Sequence, residues 1–467
     1  MSVPGWAVVK LADVTRKVGS GATPKGGKNS YHTEGTPLIR SLNIHFDRFL
    51  YDGLVYLSDA QARELDNVVV RVGDVLLNIT GASIGRVNQC PPDLDGGRVN
   101  QHVCIIRPET GLDSGFLRHF LSSPQQQNVI FQIESGVTRQ ALTKEMILDF
   151  DLPIAPLNEQ RRIVAKIEEL FSDLDAGVAA LERIKANLKR YRAAVLKAAV
   201  EGTLIKPSHP HFEKDNWLEI GTVLTCVEQG WSPMCERVPA TDQNEWAVMK
   251  TSAVMPMQFL EDENKRLPVS LAPEPDLTVQ PNDLLITRAG PRARAAVTCL
   301  VRSCRPRLIV CDKVYRMRCD PAAAVPAYLE AILNSPPVLH DLDELKTGIS
   351  DSGVNLTQQR FRRLKVPLPP LQIQERIVIE VEERLSIIAV NEQQIEANLK
   401  RAARLRQSIL KRAFEGRLVP QDPTEEPADK LLARIPANRE AEVRTRPAGK
   451  SSPNGAARKG RRVGKGL

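Results

Sequence analysis

The segment LPIAPLNEQRRIV occupies residues 152–164, and VPLPPLQIQERIV occupies residues 366–378. Each passes from a proline-rich turn into a proline-free stretch, the punctuation of a helix start. The match continues downstream. KANLKR (185–190) is answered by EANLKR (396–401), and LKAAVEGTL (196–204) by LKRAFEGRL (410–418). Each copy therefore runs from a Pro-rich opening to a glycine that follows a glutamate, Gly202 or Gly416, with Gly177 as the one glycine inside. A helix start written twice predicts that what lies between the copies is duplicated as well.

Periodicity supports one long helix per copy. In the first, Ile163, Ile167, Leu170, Leu174, Gly177, Leu181, Ile184, Leu188, Tyr191, Val195 and Ala198 follow steps of four and three, an a/d seam. In the second the seam is Ile377, Val381, Leu385, Ile388, Ile395, Leu399, Ala402, Leu405, Ile409 and Ala413, with a slip expected near Asn391. A helix of about 40 residues, roughly 60 Å long, cannot bury such a stripe alone. Two similar ones in one chain most simply pack on each other.

The regions before the helices are related more faintly. GSGATPK (19–25) and EQGWSPM (228–234) are Gly turns closed by Ser/Thr-Pro. VRVGDVLLNITGASIGRV (70–87) parallels VQPNDLLITRAGPRARAAV (279–297): a turn with Asp74 or Asp283, an apolar strand, then a Gly turn. FLRHFLSSP (116–124) parallels YLEAILNSP (328–336), a small helix stopped by Pro, and SGVTRQALT (135–143) parallels TGISDSGVNLT (347–357), a polar loop ending in Leu-Thr. Short strands, Gly turns and small helices describe an α+β domain of about 150 residues. KPSHPHF (206–212) reads as a Pro-broken linker rather than a metal site, since no carboxylate or Cys stands at ligand spacing from His209 and His211.

Composition narrows the classes. The net charge is +8, but residues 443–467 hold eight Lys/Arg and no Asp/Glu, which leaves 56 basic residues facing 56 acidic ones elsewhere. The body is neutral, and the excess lies in a Gly-, Ser- and Pro-rich tail expected to be disordered and able to hold nucleic acid loosely. The eight Cys include no C-x-x-C pair and read as reduced thiols. Without an apolar leader or an 18-residue apolar run, a cytoplasmic location is expected. Enzyme signatures are poor. Ser335-Pro336-Pro337-Val338 lacks the aromatic residue that stacks on a flipped base. There is no G-x-x-x-x-G-K-S/T loop, and GASIG (81–85), though it spells G-x-S-x-G, reads as the Gly turn after the apolar strand rather than as a nucleophile elbow. DLDELK (341–346) reads as a helix face.

The order of these motifs over about residues 1–420 resembles the specificity subunit of type I restriction–modification systems. The helix openings PLNEQRRIV and PLQIQERIV, the exits LKAAVEG and LKRAFEG, and the stretches GDVLLNITGASIG and NDLLITRAG carry the resemblance. It implies a non-catalytic subunit with two target-recognition domains alternating with two long helices, at 1–155, 156–205, 206–369 and 370–420, before a disordered basic tail at 421–467. The helices would pair as an antiparallel coiled coil with pseudo-two-fold symmetry. Each domain would read one half of a split, asymmetric target in double-stranded DNA. The helices would separate the domains and dock two modification (methyltransferase) subunits, and two ATP-dependent restriction subunits would complete the nuclease. S-adenosylmethionine, ATP and Mg would reside on those partners, with no metal or cofactor in this chain. The residues alone also leave open a coiled-coil scaffold with two protein-binding domains, or a stand-alone DNA-modifying enzyme.

Base readout needs polar side chains projecting from loops or helix ends. The recurring loops offer Thr23, Lys25, Arg40, Asn43, Asn78, Thr80, Ser83, Arg86, Gln101, His102, Thr138, Arg139 and Gln140 in the first half. In the second they offer Ser232, Lys250, Thr251, Arg288, Arg292, Arg294, Lys313, Lys346, Ser350 and Asn355. Arg288, Arg292 and Arg294 beside Gly290 and Pro291 form the densest positive turn. The seam expected to join the helices is Ile167, Leu170, Leu174, Leu181, Ile184, Leu188 and Val195 against Val381, Ile388, Ile395, Leu399, Leu405 and Ile409.

Overall fold

The computed structural model describes residues 3–24, 30–134, 141–205 and 212–445. The chain divides into two compact units, one formed by residues 1–178 with 400–467 and the other by 179–399. The long helices Leu157–Val200 and Leu371–Phe414, each of 44 residues and about 66 Å long, contribute to both.

In the first unit an antiparallel sheet runs in the order Thr15–Ser20, Val103–Pro108, Val75–Asn78, Val87–Gln89. A second sheet places Thr36–Ile39 between Val55–Leu57 (antiparallel) and Arg98–Val99 (parallel). A strand pair, Ala7–Lys10 with Asp151–Ile154, delivers the chain to the first long helix. Two cores result. One, around Phe116, Leu117, Ile154 and Ile167, packs the sheet on the helices; the other fills the space behind the small sheet around Leu38, Leu57 and Val99.

The second unit repeats this plan. Its sheet order is Leu224–Gln229, Val314–Cys319, Leu284–Thr287, Thr298–Leu300, its small sheet sets Ala247–Met249 between Asn264–Arg266 and Leu308–Ile309, and Leu218–Glu219 pairs with Lys365–Val366. Even the register shift recurs, between Thr15 and Lys17 in one copy and between Leu224 and Cys226 in the other. The second unit also holds a three-stranded sheet of Ala289–Gly290, Gly353–Asn355 and Thr347–Ser350; residues 135–140, in the matching stretch of the first unit, lie outside the described residues.

The shared sequence words have shared physical causes. Asp74 and Asp283 are buried; each caps its own turn through a backbone N–H (of Arg71 or Gln280, both 2.8 Å) and pairs at 2.7 Å with the Nε of Arg107 or Arg318. The Leu-Thr step supplies a buried Leu142 or Leu356 and then an N-cap, Thr143 or Thr357, for the next short helix. The repeated proline is a start, not a stop: Pro124 and Pro336 open the helices Pro124–Glu134 and Pro336–Leu345, where a missing N–H costs nothing.

The quoted helix openings repeat because of one residue. Gln160 and Gln374 are both fully buried. Gln160 Oε1 accepts from Asp113 N at 2.8 Å, while Nε2 donates to Gly111 O at 3.1 Å and Ala155 O at 2.8 Å. Gln374 accepts from Val325 N at 2.9 Å and donates to Ala323 O at 3.1 Å and Pro369 O at 2.8 Å. In each unit the amide fastens the start of a small helix (Ser114–Leu121 or Pro326–Leu333) to the start of a long one. The exits match as well. Gly202 and Gly416 adopt φ of 66° and 67°, and Thr203 N and Arg417 N reach back to Ala198 O and Arg412 O, both at 2.9 Å, as in a Schellman cap.

Within each unit the two long helices run antiparallel. In the second, Lys185 pairs with Glu396 at 2.9 Å and Arg192 with Glu392 at 2.6 Å. In the first, Arg406 pairs with Asp175 and lies 4.4 Å above the Phe171 ring. Of the expected seam, Ile167, Val195, Val381, Ile388 and Ile395 are buried, and Leu170, Leu174, Leu181, Leu188, Leu399 and Ile409 are half-buried. Ile184 and Leu405 are 47% and 42% exposed. Their neighbours Lys185 and Arg406 face the other helix instead, long stems spanning the gap with their charges paired. The helix continues without interruption through Asn391, whose side chain bonds back to Ile387 O.

The stretch expected to be a disordered tail begins too early. Ala428–Thr445 is helical, with Ala428 and Ile435 buried and Leu431 packed near Gly111. Glu425 grips Arg162 through both oxygens, and Ala428 N donates to Gly5 O at 2.9 Å. Sparse anchors among polar residues and an internal Pro436 hide this helix from a periodicity reading. Residues 446–467 and the linker 206–211 lie outside the described residues.

Candidate nucleic-acid interface

Four candidates of the first unit form one hydrogen-bonded chain. The Thr23 hydroxyl donates to Gln101 Oε1, Gln101 Nε2 lies 3.1 Å from His102 Nε2, and His102 Nδ1 lies 2.5 Å from Thr80 Oγ1. The backbone makes this possible at Gly21, where a Cβ would lie 1.7 Å from Val99 O. That approach lays the Thr23 turn against the 100–102 turn.

The second unit builds the same clasp with other groups. Ser232 Oγ donates to Asp312 Oδ1 at 2.5 Å, and a Cβ at Gly230 would lie 2.1 Å from Val310 O. Exposed Lys313 follows Asp312 as His102 follows Gln101. The frame is common, and what it presents is not: a Gln–His pair in one unit and an Asp–Lys pair in the other.

Elsewhere the candidates divide by whether their polar atoms are already used. Asn43 is buried and committed to its own turn, with Oδ1 accepting from Arg40 N at 2.9 Å and Nδ2 donating to Leu50 O at 2.8 Å. Arg294 is spent on Thr251 O, Val254 O and Met255 Sδ. Arg292 sits between Asp343 (3.0 Å) and Asp351 (2.9 Å), whose carboxylates favour its charge, the Asp351 bond most. Lys346 donates to Arg292 O and to Asp343, and these bonds hold Asp343 below the usual carboxylate range, Lys346 contributing more than Arg292. Lys250 is 3.5 Å from Glu263, and Ser350 bonds Ser352. Asn355 lies exposed in its strand, and Thr251 and Ser83 are half-buried in short turns.

Three candidates keep a buried polar atom without a hydrogen-bond partner: Arg40 Nε, Asn78 Oδ1 and Arg288 Nε. Such atoms cost about 1–3 kcal/mol each when left unsatisfied, and they mark positions where an incoming donor or acceptor is gained cheaply. Arg40 Nη2 donates to Gly53 O with its guanidinium over Tyr31, Asn78 Nδ2 donates to Ser41 O at 2.9 Å, and Arg288 Nη1 donates to Gln229 Oε1 at 3.0 Å over Tyr315. Arg86 lines a cavity considered below. Lys25, Thr138, Arg139 and Gln140 lie outside the described residues.

Among the described residues, neither the Ser335 stretch nor DLDELK assembles a reaction centre. Ser335 is buried and bonds Ile332 O at a helix start, and the acids of DLDELK lie on or beside the helix Pro336–Leu345, with Asp343 ion-paired. Among the described residues no group of three or more His, Cys, Asp or Glu is placed to hold a metal ion, and no helix is long and apolar enough to cross a membrane. All eight Cys are free; burial pushes the Cys90 and Cys104 thiols up to about 12.

A family model described as the type I restriction modification DNA specificity domain matches residues 4–189. The EcoBI specificity subunit of Escherichia coli is 30% identical over 369 residues, covering 73% of this chain and 76% of that one. The chain belongs to the type I restriction enzyme specificity subunits. The EcoKI specificity subunit of Escherichia coli (strain K12) is 28% identical over 94% of this chain and 96% of its own length. The EcoEI specificity subunit of Escherichia coli is 35% identical over 36% of this chain, which spans 28% of that subunit. The fold is that of solved relatives. The HsdS subunit from Thermoanaerobacter tengcongensis superposes with a TM-score of 0.54 at 22% identity, covering 89% of this chain and 98% of that one. A chain solved in connection with complex assembly and conformational transition of the type I R-M system gives 0.67 at 21% identity, over 89% and 99%.

Proposed function

We propose that this specificity subunit reads a bipartite, asymmetric site in double-stranded DNA, one half-site per unit. It leaves methylation and cleavage to the modification and restriction subunits it docks. The observation that carries the reading is the doubled clasp. Two units share sheet order, register shift, buried Asp–Arg pair and buried Gln, yet present Gln101 and His102 in one and Asp312 and Lys313 in the other. A constant frame with exchanged polar tips suits two readers of different base sequences, because base edges are distinguished by donor and acceptor pattern. Arg40, Asn78 and Arg288, each with an orphaned polar atom, are the further contacts proposed.

The long helices supply the docking surface for two modification subunits, and two restriction subunits join that assembly. Ile379, Ile387 and Val390, more than half exposed on one face of the second helix, support this. S-adenosylmethionine, ATP and Mg belong to those partners. The subunit itself is not an enzyme. The body's balanced charge supports a subunit whose grip on phosphates comes largely from its partners. Sequencing the methylome of cells with and without this chain tests the reading. A split motif methylated only in its presence is expected. Methylation that is unchanged on deletion, together with no duplex retardation by the chain plus modification subunits, overturns it.

A further inference from the structure

In the first unit a cavity of about 690 Å³ lies between the small helix Ser114–Leu121, the 45–47 loop and the two long helices. Its wall carries three arginines, Arg86, Arg118 and Arg406, and His119 against a single acid, Asp47. His119 is 1% exposed, and its Nε2 has no hydrogen-bond partner; Arg118 Nε is likewise buried without one. Arg118 donates from Nη2 to Phe46 O at 3.0 Å, and neither it nor Arg86 has an ion-pair partner among the described residues. Glu168 and Asp47 act on Arg118 only from longer range. Arg406 is fixed by Asp175 and Phe171.

The duplicated unit shows what a self-sufficient version looks like. Glu330 stands where Arg118 stands in the repeat, fully buried, accepting from Leu300 N at 2.6 Å and Arg302 Nη2 at 2.9 Å. That position is closed by an internal ion pair. In the first unit the same position offers a half-buried cation whose acids, Glu168 and Asp47, act without an ion-pair contact. A guanidinium whose Nε is cut off from water, with no counter-charge in contact, carries a desolvation cost, and an anion delivered from outside offsets it.

We propose that this cavity is a binding site for a phosphate oxyanion, with Arg118 and Arg86 as its cationic ligands and His119 Nε2 as a directed donor. The volume exceeds what a bare phosphate needs and falls in the range of small-ligand pockets. Phe46, Phe171 and Leu410 give the rest of the wall apolar surface beside polar Ser122 and Gln127, so the phosphate is carried on a larger organic group. That group is either a small phosphomonoester or a nucleotide of the DNA backbone.

The test uses the full chain, melted in rising inorganic phosphate and, separately, in sodium chloride of equal ionic strength. A ligand that binds only the folded state raises the midpoint saturably. Phosphate and AMP are expected to do so and chloride is not. Arg118→Met should weaken that response at least tenfold; if it alters folding in chloride, Arg86→Gln at the half-exposed rim gives the same reading. No saturable rise with either probe, or an unchanged response in both variants, overturns the site. The source is read with modification subunits added. If the DNA backbone supplies the phosphate, Arg118→Met lowers the salt slope of duplex binding by about one, uniformly across sequences. If a small phosphomonoester supplies it, AMP binds at least tenfold tighter than phosphate and the variant leaves duplex affinity unchanged. Loss of all duplex binding in the parent would sink the recognition reading while leaving the phosphate response to be judged separately.

Discussion

Replacing Gln160 by Met tests whether the repeated helix opening exists for its amide. Met nearly conserves volume, so the cavity contribution is small. The change removes three hydrogen bonds at a fully buried position, to Asp113 N, Gly111 O and Ala155 O. At about 1 kcal/mol net each, the loss is about 3 kcal/mol, with a range of roughly 1.5–4.5. That corresponds to roughly a hundredfold in the opening equilibrium. Hydrogen exchange read by peptide is the suitable assay, because it reports each unit separately. Amides of 111–121 and 157–167 should lose protection while those of 323–333 do not. Gln374→Met should give the mirror result in the second unit, with a similar magnitude, since its three bonds have nearly the same lengths. Gln160→Glu keeps the acceptor for Asp113 N but sets a buried carboxylate against two carbonyl oxygens, and should be worse than Met at neutral pH. A loss below about 0.5 kcal/mol in either Met variant refutes the argument.

Gln101→Ala should relax preference in the first half-site alone, by about 1–3 kcal/mol if the amide is bidentate to a base, in selection of bound duplexes. Arg288→Ala should act on the second half-site alone, whereas Arg292→Ala, which breaks exposed ion pairs, should leave the unfolding midpoint nearly unchanged. Truncation after Thr445 removes seven basic residues; the unfolding midpoint should stay fixed while nonspecific duplex affinity and its salt slope fall. His119 has its pKa lowered to about 3, mainly by burial and then by Arg118 and Arg406. The unfolded chain therefore binds a proton that the folded chain refuses, so stability is full above about pH 6.5 and declines as pH falls from there toward 3. His119→Phe should flatten that decline in denaturant titrations across the window.

The duplication, the long helices and their glycine caps were legible because they rest on local rules: period, proline, glycine. The candidate interface was legible only as residue types. Asn43 and Arg294 look like free hydrogen-bonding groups in the sequence, and their consumption depends on Leu50 O, Thr251 O and Val254 O, acceptors that no local pattern announces. Ile184 and Leu405 fit a strict heptad but sit one position off the contact, where Lys185 and Arg406 took over. Gln160 stands inside the quoted stretch, where a polar residue at a helix start carries no local mark of burial. Its recurrence as Gln374 at the same step of the second copy was the available signal. The clasp of Thr23 with Gln101 was foreshadowed by the two Ser/Thr-Pro turns, though its partner had to come from the fold.

The first unit draws on both ends of the chain, and Gly5 O, Arg162, Glu425 and Ala428 tie those ends together. Synthesis runs from one end only. When residue 399 leaves the ribosome, the second unit has all its chain, while the first still lacks Leu410, Ala413, Phe414, Ala428 and Ile435 from its core. The order of completion is thus the reverse of the order of appearance. At about 5–20 residues per second, the first unit waits several seconds with Phe116 and Ile167 uncovered. During that interval a nascent copy is open to a neighbouring nascent copy, or to a partner subunit made beside it, and the ribosome's timetable becomes part of how this subunit meets its complex.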